Sequence, residues 1–372
     1  MSVPDLLYSE VEEDLRTNVR RLLQERSDWP SVLARTESDE PYDLALWRTL
    51  AGELGLAALL VPEELGGAGA GAREVAVLAE ELGRSVAPVP FLGNLLATAA
   101  LVECAAVPRV REILPQLADG TQLGSTAIGL GRSPYAAFPD AVRADGGALT
   151  GSVGAVVELA FVDYLVVPAT DADGPALYLL DTSVPGVTRT PTTPLDLTRR
   201  FGALELDSAV GERIASGADA ERVLRRALLT AAGVLASEQV GLAQHCLDST
   251  VEYALTRSQF GRPIGSFQAV KHRLADLFTG VSTGRAAARG AADALAREDA
   301  EVELSVAVAQ AYCSDLVVLA AEEALQLHGG IGMTWEHPAH LHLARAKSSQ
   351  LAFGTAERHR QRLAELVDLP TP

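Results

Sequence analysis

Apolar residues recur at helical spacing through the first part of the chain. Leu15, Val19, Leu22 and Leu23 make one face; Leu44, Leu46, Leu50, Leu54 and Leu56 make a second; Val75, Val77, Leu78 and Leu82 make a third. Residues that return every third or fourth position share one side of a helix, so this spacing predicts amphipathic helices on a common core. From about Thr121 to Ile214 the pattern changes to short β-branched runs separated by turn residues. Ala141–Ala144, the pair Gly146-Gly147 and Ala148–Val153 read as a hairpin, and Tyr164–Val167, Ala176–Leu180 and Val187–Thr190 continue as strands,. From about Ala220 the helical period returns and lengthens. Leu224, Leu228, Ala232, Leu235, Gln239, Ala243, Leu247, Val251 and Leu255 follow one stripe,. Val302, Val306, Ala309, Leu316 and Leu319 follow another, ending at His328-Gly329, where glycine supplies a left-handed cap,. The pattern predicts an α+β, mostly α chain: an N-terminal helical domain over 1–118, a β-barrel-like domain over 119–218 and a C-terminal four-helix bundle over 219–372.

Composition narrows the possible partners. A chain of 372 residues that is 48% hydrophobic buries a large core, and its formal charge of −18 repels a phosphate backbone, so no nucleic-acid partner is expected,. Cys104, Cys246 and Cys313 are scattered and form no disulfide or metal framework,. The N-terminal segment carries Asp5, Glu10, Glu12, Glu13 and Asp14 where a signal peptide needs an apolar core,. No apolar run reaches the roughly 18 residues of a membrane span. These features predict a cytoplasmic protein without membrane insertion.

Chemistry concentrates at residues 257–268, RSQFGRPIGSFQ, where the long helix ends and a second is expected to open at Ser266 with Phe267, Val270, Leu274 and Leu277 on one face,. Arg257, Gln268 and the free N–H groups of a helix start suit an anionic ligand such as a pyrophosphate. The glycine-rich run 61–72 reads as an interhelical loop, because no strand precedes it and no Lys-Ser/Thr follows, as a phosphate cradle requires,. His337, His340 and His342 lie around Pro338 on what reads as a solvated helix, with no Cys or paired carboxylate to complete a metal ligand set,.

Three motifs in order carry a family resemblance: LAALLVPEELGG at 56–67, RSQFGRPIGSFQ at 257–268 and QLHGGIGMTWEHP at 326–338. The chain resembles the acyl-CoA dehydrogenase family over nearly its whole length. The resemblance implies FAD as cofactor, an acyl-CoA substrate and an electron-accepting flavoprotein partner. It also implies that Arg257, Phe260, Gln268, Gln326, Gly329 and Gly330 hold the dinucleotide part of an FAD seated in a neighbouring subunit, with Thr355 as a further cofactor residue.

The same resemblance shows what is missing. The family abstracts the proton α to a thioester carbonyl with a carboxylate base while a hydride leaves the β carbon for the flavin. Aligned on Gly329-Gly330 and Gly354-Thr355, the usual base position holds Phe353; the alternative position, nine residues before VGLAQ at 240–244, holds Ala231. Glu238, two turns beyond Ala231, is the leading substitute, with Glu336 and Glu357 behind it. In the β domain, Ala127–Leu130 and Ala155–Val157 stand where the family carries Thr-Glu-Pro-like and Trp-Ile-Thr segments that line the flavin. A lost base beside retained lending residues resembles the weaker chain of a paired α2β2 acyl-CoA dehydrogenase, such as those used on bulky or steroid thioesters, whose partner supplies base and main FAD site. Two alternatives stand beside it: a self-sufficient, homo-oligomeric FAD enzyme with a relocated base, and a non-catalytic thioester-binding or scaffold subunit.

Overall fold

The computed structural model describes residues 5–369. Six helices open the chain: α1 (Glu10–Arg26), α2 (Trp29–Thr36), α3 (Leu44–Arg48), α4 (Ala72–Ser85), α5 (Phe91–Glu103) and α6 (Pro108–Ala118). Their starts have local causes. Ser9 and Glu12 form a reciprocal capping box on α1, and Asp28 and Asp43 accept first-turn N–H groups of α2 and α3,. Val19, Leu23, Leu46, Leu50, Val75, Val77, Leu78 and Leu82 enter the core as their spacing predicts, whereas Leu54 ends an irregular turn and is 44% exposed. The glycine-rich run is a tight interhelical loop. Its N–H groups are spent internally, Gly67 on Pro62 and Gly69 on Val61, and a side chain at Gly67 would meet the Val61 carbonyl at 1.9 Å.

Eight strands follow: β1 (Gly124–Thr126), β2 (Val142–Asp145), β3 (Ala148–Val157), β4 (Tyr164–Asp171), β5 (Gly174–Asp181), β6 (Val187–Thr192), β7 (Phe201–Val210) and β8 (Glu212–Ser216). They lie in the order β6-β7-β3-β2-β4-β5-β8, with β1 parallel to β4. The predicted hairpin joins Asp145 to Ala148 across Gly146 and Gly147, whose φ angles of 56° and 91° are the positive pair that a tight two-residue turn demands,. A register shift in β3 between Val153 and Val156 places Ala155 at φ 54°.

Five helices close the chain: α7 (Gly217–Thr256), α8 (Gln268–Ala296), α9 (Val302–His328), α10 (Ala339–Leu351) and α11 (Ala356–Leu366). A short hairpin, β9 (Ser258–Gln259) with β10 (Arg262–Pro263), separates α7 from α8. α8 opens two residues later than expected, because Ile264–Ser266 form a 3-10 turn and Phe267 is extended. Leu319 leaves the predicted stripe of α9 and is 51% exposed. The segment Val302–Met333 is long and apolar enough by composition to cross a membrane, which amends the expectation from sequence, and 67% of its apolar window is buried inside the protein. Packing against α7, α8, α10 and α11 makes α9 a core helix.

Candidate functional site

Two helix ends meet at one corner of the C-terminal domain. The Arg257 N–H donates to the Tyr253 carbonyl at 2.8 Å, and the Arg257 carbonyl accepts from the Ile264 N–H at 2.8 Å, so the chain folds back on itself. Phe260 sits at the tip with φ 53° and is 91% exposed. Arg262 lies over the Phe267 ring at 4.0 Å, immediately before Gln268 opens α8. The end of α9 reaches the same corner: Arg273 pairs with Glu323 at 2.6 Å, and the Tyr253 ring stacks on His328 at 4.5 Å. This brings Gln326, Gly329 and Gly330 beside the Arg257–Gln268 segment.

The chemistry of the corner is unspent. Arg257, Gln268 and Gln326 are exposed, and among the described residues their side chains make no hydrogen bond or ion pair. A Cβ added at Gly329 or Gly330 would meet nothing within 4 Å, so a ligand has open access to the backbone,. A guanidinium fork, two free amides and bare glycine backbone fit the diphosphate and planar base of a dinucleotide. Met333, in the turn that follows α9, is 75% exposed, and Trp335, 70% exposed, packs edge-on against His340 at 4.5 Å. Thr355 stands apart: its hydroxyl caps α11, and the adjoining Gly354 faces Ser133 of the β domain.

The region around Phe353 is the opposite. Phe353 is 0% exposed, has φ 57° and donates its N–H to the Leu130 carbonyl at 2.8 Å. Ala127, Ile128 and Leu130 are buried in the same apolar core. The segment after α10 thus lies directly on the β-domain strip where the resemblance places the flavin ring. A bulky residue in the left-handed region costs about 1–3 kcal/mol, so burial and the Leu130 bond together hold it there. The aromatic side chain also offers no acceptor for a proton.

Behind this seal lies a charged cluster that the sequence reading missed. Arg199 grips both Glu238 carboxylate oxygens at 2.6 Å; Ser349 donates to Glu238 at 3.0 Å, and Arg345 stands 3.5 Å away. Arg345 also meets Asp196 at 2.9 Å. Burial works against the Glu238 charge, but Arg199 and Arg345 outweigh it and hold the carboxyl below its usual range. Nearby, Glu158 accepts the Gly93 N–H at 3.0 Å, and burial, only partly offset by Arg199 and the α5 N–H groups, pushes its carboxyl up to about 8. The cavity between these groups measures about 10 Å³, too little for a thioester. Ala231, two turns before Glu238, is fully buried and apolar. Glu238 in the middle of an apolar stripe was the available signal: a buried carboxylate demands a cationic partner, although spacing does not say which.

Neither of the other two candidate bases lies in a pocket. Glu336 is exposed and makes no ion pair among the described residues, and Glu357 is exposed with Arg360 at 3.6 Å. Among the described residues no group of three or more His, Cys, Asp or Glu is arranged to hold a metal. The helix carrying the histidines is less solvated than its sequence suggests. His342 is buried and stacks on His245 at 4.1 Å, and His337 packs on His328 at 4.4 Å. One open cleft of about 420 Å³ lies between the 132–138 loop, the start of α7 and α11. Its wall carries Arg132, Arg225, Arg358 and Arg362 with Glu221 and Glu365; Glu303 pairs with Arg225 and Arg362, so Arg132 and Arg358 are the wall arginines without an ion pair among the described residues.

Family models of the acyl-CoA dehydrogenase N-terminal and C-terminal domains match residues 9–121 and 221–367. The chain belongs to the acyl-CoA dehydrogenase family. Acyl-CoA dehydrogenase IpdE2 of Mycolicibacterium smegmatis is 36% identical over 95% of this chain and 98% of its own, and the protein of the same name from Mycobacterium tuberculosis is 36% identical over 96% and 97%. A chain of the ChsE4-ChsE5 complex from Mycobacterium tuberculosis superposes with a TM-score of 0.87 at 28% identity, covering 99% of this chain and 100% of that one. A variant of the Tcur3481-Tcur3483 steroid ACAD gives a TM-score of 0.84 at 29% identity over 96% and 98%. The acyl-CoA dehydrogenase family uses FAD. The Arg257–Gly330 corner fits the dinucleotide end of that cofactor, whereas the strip under Phe353 does not fit its ring.

Proposed function

We propose that this chain is the lending half of a two-chain, α2β2 acyl-CoA dehydrogenase acting on a lipid or steroid-like CoA thioester. The observation that carries the reading is the contrast between an open, unpaired dinucleotide corner and a flavin-ring strip sealed by the chain's own Phe353. When bound, FAD supplies the hydride acceptor for α,β-desaturation. This chain contributes Arg257 as a fork for the diphosphate, Gln268 and Gln326 as amide hydrogen-bonding groups, and Gly329-Gly330 as a backbone shelf, all toward a cofactor seated in the partner. The partner supplies the carboxylate base, and an electron-accepting flavoprotein reoxidises the complex. Support for a partner of this kind comes from Phe260 at the hairpin tip, 91% exposed within the corner itself. The arginine-lined cleft beside the 132–138 loop suits the phosphates of a CoA thioester.

Co-expression with an adjacent dehydrogenase gene tests the proposal through native mass, visible spectrum and acyl-CoA oxidation. The expected result is a colourless chain alone and a yellow, active α2β2 complex with partner. A chain that is yellow, tetrameric and active by itself would sink the reading in favour of a self-sufficient enzyme. A complex without flavin would leave the scaffold alternative standing.

A further inference from the structure

A second cavity lies far from this chemistry in character. It measures about 330 Å³ and opens where the α1–α2 connection, the end of α4, the middle of α7 and the start of α10 converge. Leu23, Trp29 and Pro338 give it apolar walls, and the stacked His245–His342 pair, with planes only 2° apart, gives it a flat one.

Charge at the cavity is already compensated. Arg20 grips Glu81 through two bonds of 2.8 and 2.6 Å, Arg84 meets Asp248 at 2.8 Å, and Asp28 is spent capping α2. The histidines add no charge either. Burial first, and mutual proximity second, lower His245 to about 2; burial likewise lowers His342 to about 4, against the pull of the Pro338 and Arg84 carbonyls. What remains unspent is neutral: neither ring nitrogen of His245 has a hydrogen-bond partner among the described residues, and the Ser27 hydroxyl in the wall is buried without one.

We propose that this cavity binds a neutral, flat ring compound of one or two fused rings that carries a hydroxyl or keto oxygen, at a site separate from the dinucleotide corner. Flat walls select a planar ring, compensated charge disfavours an ion, and the half-buried His245 imidazole supplies a donor or acceptor for one oxygen. The site bridges N-terminal helices and the α7–α10 layer, so occupancy ties those two layers together. The inference does not rest on the two-chain reading, since none of its residues belongs to the corner or to the Phe353 strip.

Fluorine NMR of 4-fluorophenol added to the full chain, in whatever oligomer it forms when purified, tests the site. 4-Fluorobenzoate serves as a charged control of similar shape. Line broadening is expected for the phenol and not for the benzoate. His245→Phe, which keeps the flat wall but removes the nitrogens, and Trp29→Ala, at a partly exposed helix start, should each weaken phenol binding about tenfold. Unchanged melting temperatures identify the loss as local. No phenol broadening, equal binding of the benzoate, or full binding by either folded variant overturns the proposal.

Discussion

Arg257 and Phe353 stand where the family resemblance expects a cofactor-binding arginine and the catalytic base, and their surroundings differ in kind. Around Arg257 the polar groups are exposed and unpaired, and the glycine backbone is bare. Around Phe353 the flanking Ala352 and Gly354 are buried and the backbone is tied to the buried Leu130. The first region has the form of a surface awaiting a ligand. On the two-chain reading the second differs by more than a missing carboxylate: Phe353 is fully buried there and its N–H is spent on Leu130. Absence of a catalytic group and closure of its site are separate events, and that reading requires both.

Substitutions can break that comparison or sharpen it. The largest effect is expected from Phe353→Glu, which restores the usual base type in a sealed pocket. An unpaired buried carboxylate costs several kcal/mol, so unfolding midpoint should collapse with no gain of acyl-CoA oxidation. Recovery of activity would show that the strip opens for a flavin after all. Glu238→Ala should cost about 3–5 kcal/mol in denaturant unfolding, because it strands Arg199 and Arg345 without their shared carboxylate. A loss of turnover at unchanged stability would instead assign Glu238 to chemistry.

The sealed side also has a pH signature. Glu158 holds its proton up to about 8 in the folded protein against a reference of 4.5. The unfolded chain binds fewer protons between those values, so stability present below the lower value falls as pH rises through the upper one. Unfolding at pH 5 and pH 8 should differ in that sense, and Glu158→Gln should flatten the difference. The smallest effect belongs to the open side. Arg257→Ala should leave the unfolding free energy of the isolated chain within about 0.5 kcal/mol of wild type, since the side chain is exposed and unpaired. In the complex it should weaken flavin retention about ten- to hundredfold, read by dialysis and absorbance. Equal flavin retention would remove the corner from the proposal.

Local features were legible in sequence, and long-range ones were not. The Gly146-Gly147 turn follows from two residues that tolerate positive φ, and the α7 stripe follows from its period as far as Leu247, beyond which Val251 and Leu255 are exposed. The corner's residues stood out because they lie in two short motifs, one at the end of α7 and one at the end of α9. The seal at Phe353 depends on a bond to Leu130, more than two hundred residues earlier, which no local pattern encodes. The Glu238 cluster likewise draws Arg199 and Arg345 from β-domain and α10 segments separated by 39 and 107 residues from it. His342 misled for the same reason: its helix reads as polar, but a stacking partner on α7 buries it.

Phe260 at the hairpin tip, 91% exposed, sets a condition on supply. A solvent-exposed aromatic knob adheres to whatever it meets first. If the proposed two-chain assembly covers this end, each copy synthesised in excess of its counterpart carries that knob uncovered, where folding intermediates and other greasy surfaces compete for it. On that reading the two outputs must match molecule for molecule, and unequal dosage should be read out as inclusion bodies before it is read out as lost catalysis.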